Sequence, residues 1–239
     1  MKKSDFPKKK SIALLLDPDK ITEGSLINTL EVAVKSNTDY ILTGGSLTFN
    51  SIDKLIDLVK KSCSIPVILF PGNLLQLSLK ADAVLLLSLI SGRNPELLIG
   101  NHVIAAPFLR SAKERLIPVG YILVNCGTKT SVEYISQTEA IPSDKTDIVV
   151  ATALAGEMLG LHMIYLEAGS GSVASIPPAV ISAVRDNVEI PVAVGGGLKS
   201  GENIRKTFEA GADLIILGNG CEKNPGLLAE ACRIRDSLR

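Results

Sequence analysis

A single-domain α/β fold, a closed parallel (β/α)8 or TIM barrel spanning residues 1–239, is what the sequence predicts. Two observations predict the sheet and its closure. Short β-rich runs alternate with amphipathic stretches, the pattern a parallel sheet requires because each crossover helix must cover a sheet face. Eight such runs can be counted, the number that closes a barrel. A third observation weighs against the competing open, doubly wound sheet. That fold carries a dinucleotide fingerprint after its first strand, and DPDKITEG supplies no GxGxxG there.

The first strand is read at 11–16, SIALLL, and Thr22 caps the helical pattern that follows. The second is read at 39–43, with Ser51 opening the next helix. The third lies at 66–70 and the fourth at 83–88, separated only by FPGNLLQLSLKAD, Phe70 to Asp82. A Pro-Gly turn consumes part of that length, so the third helix is expected to be reduced or missing. Its loss would leave an apolar groove in the outer wall, suited to a long hydrocarbon. The remaining strands are read at 117–124, 163–167, 191–195 and 213–217, with Ser200 capping the helix between the last two. No linker, internal repeat or low-complexity segment was evident in this pattern.

With 239 residues, 46% of them hydrophobic, the chain has the material for one well-packed core. Its formal net charge of zero gives no long-range pull toward nucleic acid or acidic membranes, so a bound anion must be held by local geometry. Lys8, Lys9 and Lys10 read as a solvated tail, and no nucleic-acid partner is expected. Cys63, Cys126, Cys221 and Cys232 are scattered without a CxxC pair or a companion His cluster, which argues against a zinc site or a disulfide framework and fits a cytoplasmic protein. The apolar run ending at Leu16 is about six residues, shorter than the roughly seven to fifteen of a secretion signal. Residues 83–92 are likewise too short to cross a bilayer. His102 and His162 are solitary and read as surface or packing residues.

In a parallel barrel the strand C-terminal ends carry the active-site loops, and phosphate sits on those after strands seven and eight. Gly195, Gly196 and Gly197 follow strand seven; Gly218, Asn219 and Gly220 follow strand eight. Without Cβ atoms these loops can bring backbone N–H groups against phosphate oxygens, and the helix starting near Ser200 adds its positive end. The alternative is that the glycines serve only tight turns. At the same rim the ends of strands one, two and six carry Asp17, Asp19, Lys20, Ser46, Tyr165, Glu167, Ser170 and Ser172. Asp17 and Ser46 offer oxygen ligands that could share one Mg²⁺, which takes the rest of its shell from water and substrate phosphates; a DPD turn and a helix cap are the structural alternatives. Glu167, flanked by Leu166 and Ala168, is a candidate general base because burial raises a carboxyl pKa; an acid paired to a nearby Lys or Arg is the alternative. Tyr165 either presents its hydroxyl to phosphate or packs.

LLLDPDK, LTGGS, YLEAGSGS, AVGGGLKSGENIRKTFEAGAD and ILGN occur in an order and spacing that resemble the geranylgeranylglyceryl phosphate synthases and their heptaprenyl-forming relatives, along nearly the whole chain. The resemblance implies a modified barrel with a deficient third helix. It also implies transfer of a polyprenyl group from its diphosphate to the C3 hydroxyl of sn-glycerol 1-phosphate, releasing diphosphate. Asp17 and Ser46 match the family's Mg²⁺ ligands. Tyr165, Leu166, Glu167, Ala168, Gly169, Ser170 and Gly171, with Gly196, Gly197, Gly218 and Asn219, match its glycerol phosphate site. The heptaprenyl branch has a lysine two residues before the first Asp of its motif, where Leu15 stands here; Lys20 or nearby backbone is expected to substitute. LLLDPDK and EAGSGS resemble the geranylgeranyl-using branch, so the C20 donor is expected. The resemblance implies a homodimer or homohexamer, for which 95–110 and 147–161 offer apolar contact surfaces. Transient membrane contact to collect the donor is compatible with this activity, although no amphipathic basic helix supports it. The alternatives are another phosphate-binding barrel enzyme, such as a phosphosugar isomerase, and a non-catalytic phosphoglycerol-binding barrel.

Overall fold

The computed structural model describes residues 6–7, 9–127, 129–218, 220–221, 224 and 226–239. Its barrel strands are β1 (Ser11–Leu16), β2 (Tyr40–Thr43), β3 (Val67–Leu69), β4 (Ala83–Leu89), β5 (Leu116–Asn125), β6 (Met163–Glu167), β7 (Val192–Gly195) and β8 (Leu214–Leu217). Each of the eight predicted runs contains one strand core, with ends that differ by a residue or so. Every neighbouring pair is parallel. The ring runs β4-β3-β2-β1-β8-β7-β6-β5 and closes through β4 and β5, where Val84 pairs with Leu116 and Leu89 with Tyr121.

A two-residue strand, Ile141–Pro142, was not predicted. Pairing of β5 with β6 ends at Leu123 and Glu167, so β5 outruns its neighbour, and Ile141–Pro142 pairs with the projecting Val124 and Asn125. The helices are α1 (Glu23–Lys35), α2 (Ile52–Ser62), α3 (Asn101–Leu109), α4 (Ser131–Ser136), α5 (Thr146–Met158), α6 (Pro178–Arg185), α7 (Gly201–Glu209) and α8 (Gly226–Ser237). Thr22, Ser51 and Ser200 each accept a first-turn backbone N–H, from Ser25, Lys54 and Asn203, and so perform the predicted caps. Between β3 and β4 the chain forms only a 3₁₀ turn, Leu74–Gln76, in place of the crossover helix. The third helix is missing, as the short spacing requires.

Strand alternation builds two apolar layers. Ala13, Leu42, Ile68, Leu85, Val119 and Ile216 point into the barrel. Ile12, Leu14, Ile41, Leu69, Ile164 and Leu166 point outward against the helices. At the bottom of the barrel three aspartates repeat one arrangement. Asp39, Asp82 and Asp213, each one residue before a strand, accept the backbone N–H of Ile12, Val67 and Val192 on the preceding strand at 2.9, 2.8 and 2.9 Å. Each also pairs with a cation from an outer helix: Arg235 on α8, Lys60 on α2 and Arg185 on α6. Stability is thus fastened at one end, leaving the other for the site.

Candidate active site

The loops leaving β1, β2, β3, β5, β6, β7 and β8 surround a cavity of about 1520 Å³ that opens at the C-terminal mouth of the barrel. That exceeds the roughly 300–1,000 Å³ typical of drug-sized ligand pockets. Its polar side is lined by Asp17, Ser46, Glu167, Ser170, Gly196 and Gly218; its apolar side by Phe70, Leu74, Leu85, Leu87, Ala105 and Leu109, beside the place where the third helix is missing. His102 also lines it, with Nε2 2.8 Å from the Leu87 carbonyl oxygen.

Glu167 ends β6 and is buried. The Tyr165 hydroxyl donates to its Oε2 at 2.5 Å and the Gly169 N–H to its Oε1 at 2.7 Å. The two side chains lie two residues apart on one strand and therefore share the inner face. No Lys or Arg pairs with Glu167 among the described residues, so the ion-paired alternative does not hold. Burial pushes its carboxyl above the ordinary carboxylate range, against the opposing effect of the hydrogen bonds from Tyr165 and Gly169. Burial also pushes Tyr165 well up, reinforced by the Glu167 charge, so the phenol stays protonated and keeps donating. Phe70, Tyr121 and Tyr165 cluster on this side, with centroids 5.8 Å apart for Phe70 and Tyr165 and 5.1 Å for Tyr121 and Tyr165.

The glycines have a steric reason beyond tight turning. A Cβ on Gly195 would lie 2.2 Å from the Tyr165 hydroxyl, and one on Gly196 2.5 Å from Glu167 Oε1. Gly196 and Gly197 also adopt φ of +82° and +68°, which L side chains disfavour. Bare backbone here therefore makes room for the buried acid as well as exposing the rim. Gly169 is excluded from carrying a side chain by Thr130, whose Cγ2 would be 2.1 Å from the added Cβ.

Asp17 Oδ2 pairs with Lys20 Nζ at 3.1 Å, and Oδ1 accepts the Asp19 N–H at 3.0 Å. The DPD turn therefore exists. Asp19 in turn accepts the Phe49 and Asn50 N–H groups, both at 2.8 Å, tying the β1 loop to the β2 loop. Asp17 lies against Gly45, where an added Cβ would be 3.1 Å from Oδ2, and Ser46 follows directly. Ser46 is not the cap of α2; Ser51 is. Leu15 faces the cavity beside Gly218.

Of the predicted site residues, Asp17, Ser46, Tyr165, Glu167, Ser170, Gly171, Gly196, Gly197 and Gly218 line this one cavity. Leu166 and Ala168 do not: they pack into the outer layer, because alternation turns them away from Tyr165 and Glu167. Gly169 also lies off the cavity surface and reaches it only through Glu167. Asn219 lies outside the described residues.

Sequence reading missed Gln76. Its buried side chain donates from Nε2 to the Gly45 carbonyl at 2.7 Å, and its Oε1 accepts the Gly72 N–H at 3.0 Å, clamping the loop that carries Ser46. It also missed the capping box of α4, in which Glu133 Oε2 accepts the Thr130 N–H at 2.8 Å. The TxxE spacing of Thr130 and Glu133 was the legible signal.

A family model described as the PcrB family matches residues 5–234. The chain belongs to the PcrB family. Among its relatives is the geranylgeranylglyceryl phosphate synthase of Spirosoma linguale, 48% identical over 227 residues, covering 95% of this chain and 91% of the relative. The protein of the same name from Chitinophaga pinensis is 46% identical over 222 residues, 92% of this chain and 88% of that one. Among solved structures, (S)-3-O-geranylgeranylglyceryl phosphate synthase from Thermoplasma acidophilum, in complex with its substrate sn-glycerol-1-phosphate, superposes with a TM-score of 0.88 at 32% identity. That match covers 97% of this chain and 94% of the other. No described helix of this PcrB-family barrel is long and apolar enough to cross a membrane.

Proposed function

We propose that this PcrB-family protein transfers a geranylgeranyl group from its diphosphate to the C3 hydroxyl of sn-glycerol 1-phosphate. The observation that carries the reading is the two-sided cavity: a polar corner with the buried acid Glu167 opens into a large apolar chamber. The names of its relatives, and the substrate held by the Thermoplasma acidophilum structure, support it.

In this reading the acceptor phosphate lies against Ser170, Gly171, Gly196, Gly197 and Gly218, at the positive N-terminal end of α7. The isoprenoid tail fills the chamber walled by Leu85, Leu87 and Leu109. Asp17 and Ser46 would hold Mg²⁺: both line the cavity as hard oxygen donors, and two protein ligands suit an ion that completes its shell with water and phosphate. When bound, the ion neutralises charge on the departing diphosphate. Lys20, paired to Asp17, places a cation at the corner where Leu15 stands in place of the lysine expected of the heptaprenyl branch.

The bond from C1 of the donor to its diphosphate breaks, and a bond from C1 to the acceptor C3 oxygen forms. Glu167 takes the hydroxyl proton. Its raised pKa makes it a stronger base than an exposed carboxylate, while the hydrogen bonds from Tyr165 and Gly169 favour and aim the ionised form. The rings of Phe70, Tyr121 and Tyr165 give electron-rich faces to an allylic carbon gaining positive charge.

The test is to incubate purified protein with sn-glycerol 1-phosphate and a ladder of prenyl diphosphates and to identify products by mass. A C20 ether as the dominant product supports the proposal. Binding of the phosphoester with no ether from any donor would favour a phosphoglycerol-binding barrel instead.

A further inference from the structure

Six large apolar side chains stand exposed on loops around the cavity mouth: Leu47 and Phe49 after β2, Leu75 after β3, Tyr134 and Ile135 on α4 after β5, and Val173 after β6. Phe49 is 86% exposed, Leu75 97% and Tyr134 84%. Sequence adjacency does not gather them; the topology does. Around the ring β2, β3, β4, β5 and β6 are consecutive, so these tips form one arc. The complementary arc of β7, β8 and β1 carries Gly196, Gly197, Gly218 and Asp17, and its loops bear no exposed large apolar side chain among the described residues. The mouth is greasy on one side and polar on the other.

The tips are held outward. The Phe49 N–H is fixed to Asp19 Oδ2 at 2.8 Å and the Leu75 N–H to Asn73 Oδ1 at 2.9 Å, while both side chains remain in solvent. Leu47, Tyr134 and Ile135 also line the cavity, so the arc is continuous with the apolar interior. Apolar surface left exposed at a mouth marks an interaction site.

We propose that this arc is a membrane-docking surface, on which the barrel sits tilted against an anionic lipid bilayer with its β7–β8 side toward water. The inference rests on the reading that the chamber takes a prenyl diphosphate, an amphiphile that partitions into bilayers. A protein partner seated over the arc would close the mouth through which that donor enters, whereas a fluid bilayer supplies the donor and leaves the polar arc open to the acceptor. Lys129, exposed after β5, and Lys199, which follows β7 but reaches back to the arc with Nζ 3.2 Å from the Val173 carbonyl oxygen, give positive charge for anionic headgroups. Insertion of separate loop tips needs no amphipathic helix. The exposed apolar residues Val103, Ile104 and Phe108 lie on the crossover helix α3 after β4, not on a loop tip, and none of the three lines the cavity.

The test is co-sedimentation of the full chain with vesicles of mixed phosphatidylethanolamine and phosphatidylglycerol, with no substrate added. The parent is expected to partition onto them. The Phe49→Asp/Leu75→Asp double variant should lose that partitioning by about tenfold or more, and Val103→Asp on α3 should retain it. Leu75→Asp alone, at a fully solvated site, gives a partial loss should the double variant fold poorly. A parent that stays in the supernatant, a double variant that binds as the parent does, or a loss confined to Val103→Asp would overturn the docking surface. Turnover with a short, water-soluble prenyl diphosphate should be equal in parent and double variant. Absence of product from every donor of the prenyl ladder sinks the prenyltransfer reading, and absence of vesicle binding sinks only the docking surface.

Discussion

In the proposed reaction Glu167 is the general base, and its environment sets opposing effects against each other. Burial favours the neutral acid; the Tyr165 hydroxyl and Gly169 N–H favour the carboxylate. Burial prevails, so the pKa lies above the ordinary value of 4.5. As general base the group must be ionised, so kcat/KM is expected to fall on the acid side through that raised pKa. Glu167→Gln should lower kcat by about 10²–10⁴-fold and erase the acid limb in a pH–rate profile. Stability moves the other way. A carboxyl whose folded pKa is raised binds its proton more tightly when folded, so its penalty is absent below the unfolded value and grows as pH rises through the folded one. Thermal melts should therefore show Glu167→Gln gaining on the parent as pH rises from the ordinary carboxylate range toward the raised folded value. Tyr165→Phe keeps the ring and removes a donor that favours the carboxylate, so its acid limb should shift to higher pH. Burial of Glu167 was legible from its apolar flanks at the end of a strand. The demand it places on Gly195 and Gly196 was not, because it depends on side chains from a neighbouring strand occupying the space of a missing Cβ.

The lost third helix is the element that departs from the ideal barrel, and a short interval between two strand patterns revealed it. What replaces it could not be read in advance. Gln76 looks like one polar residue in an apolar turn, yet it holds the Gly45 carbonyl and the Gly72 N–H. Gln76→Leu should leave those groups unpaired at a cost of about 1–3 kcal/mol, seen as a lower urea midpoint. If Ser46 holds the metal, the same variant should also raise the Mg²⁺ concentration for half-maximal rate. A purely structural role would lower the midpoint and leave the metal dependence unchanged. At the barrel's other end the motifs Thr38-Asp39-Tyr40, Ala81-Asp82-Ala83 and Ala212-Asp213-Leu214 repeat one arrangement that the sequence displayed and our reading passed over. Their spacing is irregular, so a fixed-period search does not find them. Asp39→Ala strands the buried Arg235 with fewer partners and should destabilise the fold by about 3 kcal/mol, measured by denaturant unfolding.

At the scale of the molecule, closure of eight strands assigns stability to the bottom of the barrel and chemistry to the top. Strand periodicity and strand count sufficed to read that plan. The cavity itself was less legible, since its walls come from seven loops, helix α3 and the inner faces of the strands. Charge balance gave no sign of the proposed Mg²⁺ site: Asp17 and Ser46 come to one cavity on the β1 and β2 loops, which Asp19 ties together. Chelation should suppress turnover and added Mg²⁺ restore it, with the fold unchanged by circular dichroism. The central claim is that one rim corner, built from bare backbone beside a buried acid, grips the phosphoester and turns its hydroxyl toward Glu167. A crystal structure with sn-glycerol 1-phosphate tests it most directly. The account requires phosphate density against Gly171, Gly196 and Gly218, with the C3 oxygen facing Glu167. Density elsewhere on the molecule, with that corner empty, would contradict it.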